Sequence, residues 1–195
     1  DFSHLSMAFR FLAGSLGLPF MPTKSMLGTD LISESGVNSD SYIVMDNPWQ
    51  NDDPVVLLKA LNPDVSIIHA QKADKYGNVV IEGFKTHEIE MAKASTHVLV
   101  TCEEIIDSDE IRSDPSLTTI PYIYVDAVIL QKWGGYPTSV YHHYVHDADH
   151  ISLYQKVARV GGIEYQKYLD DYVYGCKNFD EYLSKVLDSS SKNSL

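Results

Sequence analysis

Apolar residues recur at helical spacing from the first residues of the chain: Leu5, Ala8, Phe9, Leu12, Ala13 and Leu16 fall on one face, and Gly17 stops the pattern. The apolar run "LPFMP", ending at Pro22, predicts a strand leading into the loop "TKSMLGTD". Asp53 followed by Pro54 has the form of an N-cap and first helical position, so "VVLLKAL" is expected as a short helix closing at Asn62-Pro63. Val65 to Ala70 reads as a buried strand, and in "IIHAQKADKYGNVVI" the Gly77-Asn78 pair supplies the turn for a reversal into a second apolar run. Thr86 is placed to cap a helix through Lys93, with Glu88 and Glu90 near its positive end, and "THVLVTC" follows as another strand. The acidic stretch "EEIIDSDEIRSD" reads as a solvated connection, and "IPYIYVDAVIL" adds one more strand.

This order, α, β, α, β, β, α, β, predicts a three-layer α/β fold with a largely parallel sheet and helices on both faces. The loops at the carboxyl ends of the strands, "TKSMLGTD" and "QKADKYGN", are then the expected working surface. From Asp147 three amphipathic segments follow: Ile151, Tyr154, Val157 and Ala158; Tyr165, Tyr168, Leu169 and Tyr172; and an Asn178-x-x-Glu181 capping pattern before Tyr182, Leu183 and Val186. The expected organisation is one domain over 1–195, with an α/β core over 1–146, a helical extension over 147–190 and a frayed tail over 189–195.

A chain of 195 residues is long enough for a sizeable core. Its formal net charge of −12, with scattered basic residues, argues against a nucleic-acid surface. Cys102 and Cys176 are far apart and in no metal-binding spacing, which fits a reducing cytoplasm. No window approaches the ~18 apolar residues of a membrane span. The chain opens on Asp1 inside a helical pattern, so an amino-terminal portion is expected to be missing.

The histidine cluster "HHYVHDADH" offers His142, His143, His146 and His150, with Asp147 and Asp149, as candidate ligands of a divalent metal. The simpler expectation is that Asp147 or Asp149 caps the following helix and the histidines lie on an exposed approach loop, leaving no metal site. No dinucleotide, nucleoside-triphosphate or hydrolase-elbow motif is present.

Three segments together resemble the α subunit of family I coenzyme A transferases, in its carboxyl-terminal part: "LPFMPTKSMLGTD" (18–30), "DVSIIHAQKADKYGNVVI" (64–81) and "VTCEEIIDSDEIRSDPSLTTIPYIYVDAVI" (100–129). "GGYPTSVYHHY" resembles the glutaconate-type branch, whereas "GFKTHEIE" departs from the Asn-Phe-Asn run of the 3-oxoacid branch. The resemblance implies the fold shared by these enzymes and sugar-phosphate isomerases. It also implies transfer of coenzyme A between an acyl-CoA and a carboxylic acid, glutaconate-like or another dicarboxylate. In the family a glutamate from the β subunit is the nucleophile toward the thioester and passes through an acyl anhydride to a glutamyl-CoA thioester. That step needs a partly desolvated carboxylate and donors aimed at the oxyanion.

The catalytic glutamate is therefore expected in a partner β subunit, not in this chain, and Glu34 of "SESG" reads as a helix-start or loop residue. The resemblance gives Thr23, Lys24, Ser25, Met26 and Gly28 a share in the acyl and pantetheine pocket, with Lys24 able to pair an acyl carboxylate. Coenzyme A enters as substrate, and no resident cofactor is implied. Asp74 and Lys75 are expected to stabilise their turn by meeting another element or subunit. Two other readings stay open: a related subunit that hydrolytically opens a ring in a steroid-derived CoA ester, and a small-ligand or metal-binding module built on the histidines.

Overall fold

The computed structural model describes residues 1–33 and 38–190, and these group into two compact units, Asp1–Gly134 and Gly135–Leu195. Glu34 lies outside the described residues. The class is mixed α/β, and the first unit is built on two sheets.

In the first unit α1 (His4–Ser15) starts at Ser3, whose hydroxyl accepts from the Ser6 N–H. β1 (Phe20–Thr23), β3 (Tyr42–Asn47) and β4 (Gln50–Lys59), with the two-residue β2 (Asn38–Ser39), form an antiparallel sheet in the order β1-β4-β3-β2. The short α2 (Asp30–Ser33) lies between β1 and β2.

The helix expected after Asp53-Pro54 is not there, because this segment is the central strand β4. Val56 and Leu58 point into a core with Met26 and Tyr42, and β-branched valines suit a doubly paired strand, so tertiary pairing overrides the local cap signal. Pro54 is tolerated because pairing with β1 stops at Val56, and its partner Asp46 in β3 adjoins a register irregularity.

The second sheet has the order β6-β5-β7-β8: β5 (Val65–Asp74), β7 (His97–Ile106) and β8 (Ala127–Leu130) run parallel, and β6 (Val79–Val80) turns back antiparallel along β5. The reversal at Gly77-Asn78 is as the sequence predicts, with Gly77 at φ 100°. Alternate residues Ile68, Ala70, Val98, Val100 and Cys102 are buried in one core with Ala92 of α3 (Glu88–Ala94). Gly14 lets α1 come close to this layer, since a Cβ there would stand 2.4 Å from the Leu61 carbonyl oxygen and 3.0 Å from the Ala94 Cβ.

Three local expectations need correction. Thr86 does not cap α3; the bonds run the other way, with its N–H and hydroxyl donating to the Glu88 carboxylate. The acidic stretch is not a plain loop: β7 continues through Ile106, and Asp107 caps α4 (Ser108–Ser113). Of "IPYIYVDAVIL" only Ala127–Leu130 is strand, because Pro121 leads into a 3-10 turn at Tyr122–Tyr124.

The second unit contains α5 (Ala148–Val160), α6 (Gly162–Leu169), a π turn at Asp170–Tyr174 and α7 (Phe179–Ser190). Asp147 caps α5 by accepting from the His150 N–H. Asn178 accepts from the Glu181 N–H while the Glu181 carboxylate reaches back to the Lys177 N–H, the reciprocal arrangement the spacing predicts. His142, His143 and His146 are exposed, but His150 is not on a loop. It is buried, stacked edge-on against Tyr172 and Tyr182, with Nε2 2.9 Å from the Tyr168 hydroxyl. Among the described residues no helix is long and apolar enough to cross a membrane.

Candidate functional site

The loop after β1 is shaped by residues whose backbone or side chains are committed. Ser25 N–H donates to the Thr23 hydroxyl, and the Ser25 hydroxyl meets those of Ser3 (2.8 Å) and Ser6 (3.1 Å) under α1. Met26 takes φ 78° and buries its side chain in the antiparallel-sheet core, and its carbonyl accepts from the Thr29 hydroxyl. A non-glycine residue at positive φ is held only where surrounding contacts insist on it. Gly28 follows at φ 72°, with open space where a Cβ would stand.

Lys24 is exposed on this loop, as are Gly28, Thr29 and Asp30, and its ammonium lies 2.6 Å from Asp53 Oδ1 in β4. The Asn47 amide donates to the other carboxylate oxygen. The Lys24 ammonium, with Asn47 behind it, holds the Asp53 carboxyl below the usual carboxylate range. The lysine side chain is 63% exposed, so a carboxylate arriving from solvent can compete for it at little electrostatic cost. Of the five residues predicted here, Lys24 and Gly28 are accessible, Thr23 and Ser25 are partly buried, and Met26 is core.

The second predicted loop belongs to the other sheet. Asp74 is almost fully buried; its Oδ1 accepts from the Tyr76 and Asn78 N–H groups and its Oδ2 from the Asn78 amide, each at 2.9 Å. Burial alone would raise this carboxyl, yet the donors from Asn78, Ser108 and Tyr76 outweigh it and the pKa falls below the ordinary value. The charge is thus held chiefly inside the turn, with the Ser108 hydroxyl of α4 adding to it from another element. Lys72 pairs with Glu82 at 3.2 Å, and the Lys75 ammonium sits over the Tyr76 ring. The nearest donors to Asp74 belong to its own turn, and Ser108 reaches it from α4, as a turn stabilised by another element predicts.

The structure also assembles a polar cluster that no sequence motif announces. His69 Nε2 is 2.8 Å from Glu103 Oε1, and His69 Nδ1 is 2.8 Å from the Thr101 hydroxyl. Glu103, buried, also accepts from the Trp133 N–H at 2.8 Å, and Trp133 has φ 63°. Gly134 lies against the imidazole: a Cβ there would stand 2.6 Å from His69 Cε1. The signal in the sequence is two polar residues two apart, Thr101 and Glu103, inside an apolar run; the parallel register that opposes His69 to Thr101 completes it.

Among the described residues no group of three or more His, Cys, Asp or Glu side chains is placed to hold a metal ion. The arrangement offers an exposed cation, Lys24, on a loop that holds Met26 at positive φ, and two buried carboxylates, Asp74 and Glu103, held by hydrogen bonds.

Comparison with known proteins gives this geometry a context. A family model described as coenzyme A transferase matches residues 2–131. The A subunit of glutaconate CoA-transferase from Acidaminococcus fermentans is 35% identical over 197 residues, covering 95% of this chain and 61% of the relative. The A subunit of 3-oxoadipate CoA-transferase from Pseudomonas knackmussii is 29% identical, covering 96% of this chain and 64% of its own length. The crystal structure of glutaconate coenzyme A-transferase from A. fermentans superposes with a TM-score of 0.84 at 34% identity, over 95% of this chain and 62% of the other. The chain therefore spans just under two thirds of the length of these relatives.

Proposed function

The chain belongs to the coenzyme A transferase family, and from that premise we propose that it is the α-type subunit, or part of it, of an enzyme that moves coenzyme A between an acyl-CoA and a carboxylic acid of the glutaconate or dicarboxylate kind. The observation that carries this reading is the likeness over 95% of the chain to the corresponding subunit of glutaconate CoA-transferase, with the exposed Lys24 ammonium on the loop after β1.

In this reading the attacking glutamate belongs to a second, β-type subunit, and the complete site needs both. Its carboxylate adds to the thioester carbonyl and the coenzyme A thiolate leaves, giving a mixed anhydride. The thiolate then attacks the glutamyl carbonyl of that anhydride and releases the donor as a free carboxylate. The acceptor carboxylate takes the acyl-transfer position in the reverse sequence, so no net proton is consumed and no resident cofactor is called for.

This chain supplies positioning. Thr23, Ser25 and Met26 hold the loop's shape, Gly28 leaves room for the pantetheine arm, and Lys24 exchanges Asp53 for the distal carboxylate of the acyl group. We place the enzyme in the cytoplasm, where Cys102 and Cys176, both free, stay reduced.

The test is to produce the full-length protein and its cognate β-type partner separately, mix them, and follow exchange of the thioester between glutaconate and a donor acyl-CoA. Exchange that requires both proteins supports the assignment. Absence of both a complex and exchange overturns it.

A further inference from the structure

Asp53, the partner of Lys24, is aimed by the irregular part of its hairpin. β3 pairs Asp46 with Pro54 but the next residue, Asn47, with Gln50, so Asn51, Asp52 and Asp53 drop out of the β3–β4 register. Asp52 takes φ 56° in this segment, a conformation that a residue other than glycine rarely adopts and that surrounding contacts must hold. Such irregularities re-aim side chains, and they recur beside active sites. Pairing of β1 with β4 ends at Thr23 opposite Val56, and Lys24 follows immediately.

The acid is also clamped. Asn47 donates its amide to Asp53 Oδ2 at 3.1 Å, while its Oδ1 accepts from the Trp49 backbone N–H at 3.1 Å, which fixes the way the amide points. Asp53 Oδ1 is left for the Lys24 ammonium. The aspartate side chain is 20% exposed and the lysine 63%, so Asp53 stays in place and the lysine is the end free to take a new partner. An ion pair this exposed adds little to stability. The loop does not depend on it, because the Ser25 and Thr29 hydrogen bonds and the buried Met26 side chain already hold its shape. An acid positioned so firmly for so small a structural return points to control of the lysine's charge.

We propose that Asp53 is a specificity-determining residue of the acyl pocket: its carboxylate neutralises Lys24 before substrate arrives and competes with the distal carboxylate of the acyl group for that ammonium. This assignment rests on the transferase reading above, with Lys24 as the cation of the pocket. While the pair is intact, an uncharged acyl end meets no unpaired charge, so monocarboxylic acyl groups are admitted. A dicarboxylic group has to take the ammonium from Asp53, which weakens its hold and lets it leave after transfer. Without Asp53 the pocket presents an unpaired cation, which favours dicarboxylates and disfavours uncharged chains.

The test compares the full-length protein with its Asp53→Asn variant, each with the cognate β-type partner, in transfer from glutaryl-CoA and from pentanoyl-CoA to acetate. Asp53→Asn is expected to lower KM for glutaryl-CoA about two- to fivefold, the exchange value of an exposed ion pair, without raising kcat, and to raise KM for pentanoyl-CoA. In a Lys24→Ala background the same substitution should leave the glutaryl-CoA KM unchanged. Asp52→Asn removes a neighbouring charge while keeping a residue that tolerates positive φ, and should move neither KM. Circular dichroism checks each fold, and Asp53→Ser, which removes the same charge, carries the test with the same signs should Asp53→Asn lose its structure. If Asp53→Asn leaves both KM values unchanged while Lys24→Ala lowers the preference for glutaryl-CoA, the role of Asp53 falls and that of Lys24 survives. If Asp53→Asn acts equally with and without Lys24, or Asp52→Asn matches it, the acid works by bulk repulsion and the proposal is overturned. If Lys24→Ala leaves the preference unchanged, or neither acyl-CoA is exchanged, the reading of the pocket falls and the role of Asp53 with it.

Discussion

Glu103 and His69 meet across the parallel β5–β7 ladder, Oε1 to Nε2 at 2.8 Å, and the other carboxylate oxygen of Glu103 holds the Trp133 N–H where the chain leaves β8. One buried side chain therefore ties three successive segments of the sheet. Glu103→Leu leaves the Trp133 N–H and the imidazole without their acceptor and is expected to cost about 3 kcal/mol of stability in urea unfolding. Glu103→Gln keeps the shape and one acceptor and should lose less.

Gly134→Ala tests the same cluster from the other side. The added methyl would stand 2.6 Å from His69 Cε1, and the ring cannot retreat because both its nitrogens are engaged. The expected loss is about 1–3 kcal/mol. His69→Ala in the same chain removes the collision, so the double variant should be more stable than the sum of the single effects predicts, measured as a double-mutant cycle.

Lys24→Ala separates folding from function. Its ion pair is exposed, so the thermal midpoint should barely move. The rate of coenzyme A exchange with a dicarboxylate acyl group should fall about tenfold or more, while a monocarboxylate of the same length is affected much less. Equal losses for both acids would show that Lys24 does not pair the distal carboxylate.

The helical unit has a pH window. Burial pushes the His150 pKa below its ordinary 6.5, opposed in part by Asp147. The unfolded chain then takes up a proton before the folded one does, so stability is full above 6.5 and is lost as pH falls through the folded value. At the other end burial, and behind it the neighbouring tyrosines, push Tyr168 from 10.0 up to about 12; stability is full below 10.0 and is lost as pH rises through about 12. Thermal unfolding followed by tyrosine absorbance should decline at both ends, and His150→Phe should remove the acid limb only.

Much of this is legible in the chain and some is not, for identifiable reasons. β5 and β7 announce themselves as apolar runs, and Gly77-Asn78 marks the reversal between β5 and β6. The three carboxyl-terminal helices carry both their periodicity and the caps Asp147 and Asn178. β4 is masked by Asp53-Pro54, a local signal that pairing with β1 and β3 overrides. β3 escapes notice because Ile43 and Met45 on its outer face are as apolar as Tyr42 and Val44 on its inner one, which erases the alternation that identifies a half-buried strand. At the candidate loop Lys24 can be picked out, but its partner Asp53 lies in the segment whose local signal misleads. The His69–Glu103 contact depends on strand register, a property no single segment contains.

The two units also differ in their chromophores. Both tryptophans, Trp49 and Trp133, fall within Asp1–Gly134, whereas the ring cluster around His150 in Gly135–Leu195 is made of tyrosines. Light absorbed by indole alone interrogates the sheets, and phenol emission is weighted toward the helices. A single unlabelled sample can thus show whether the two parts melt in one step or in two.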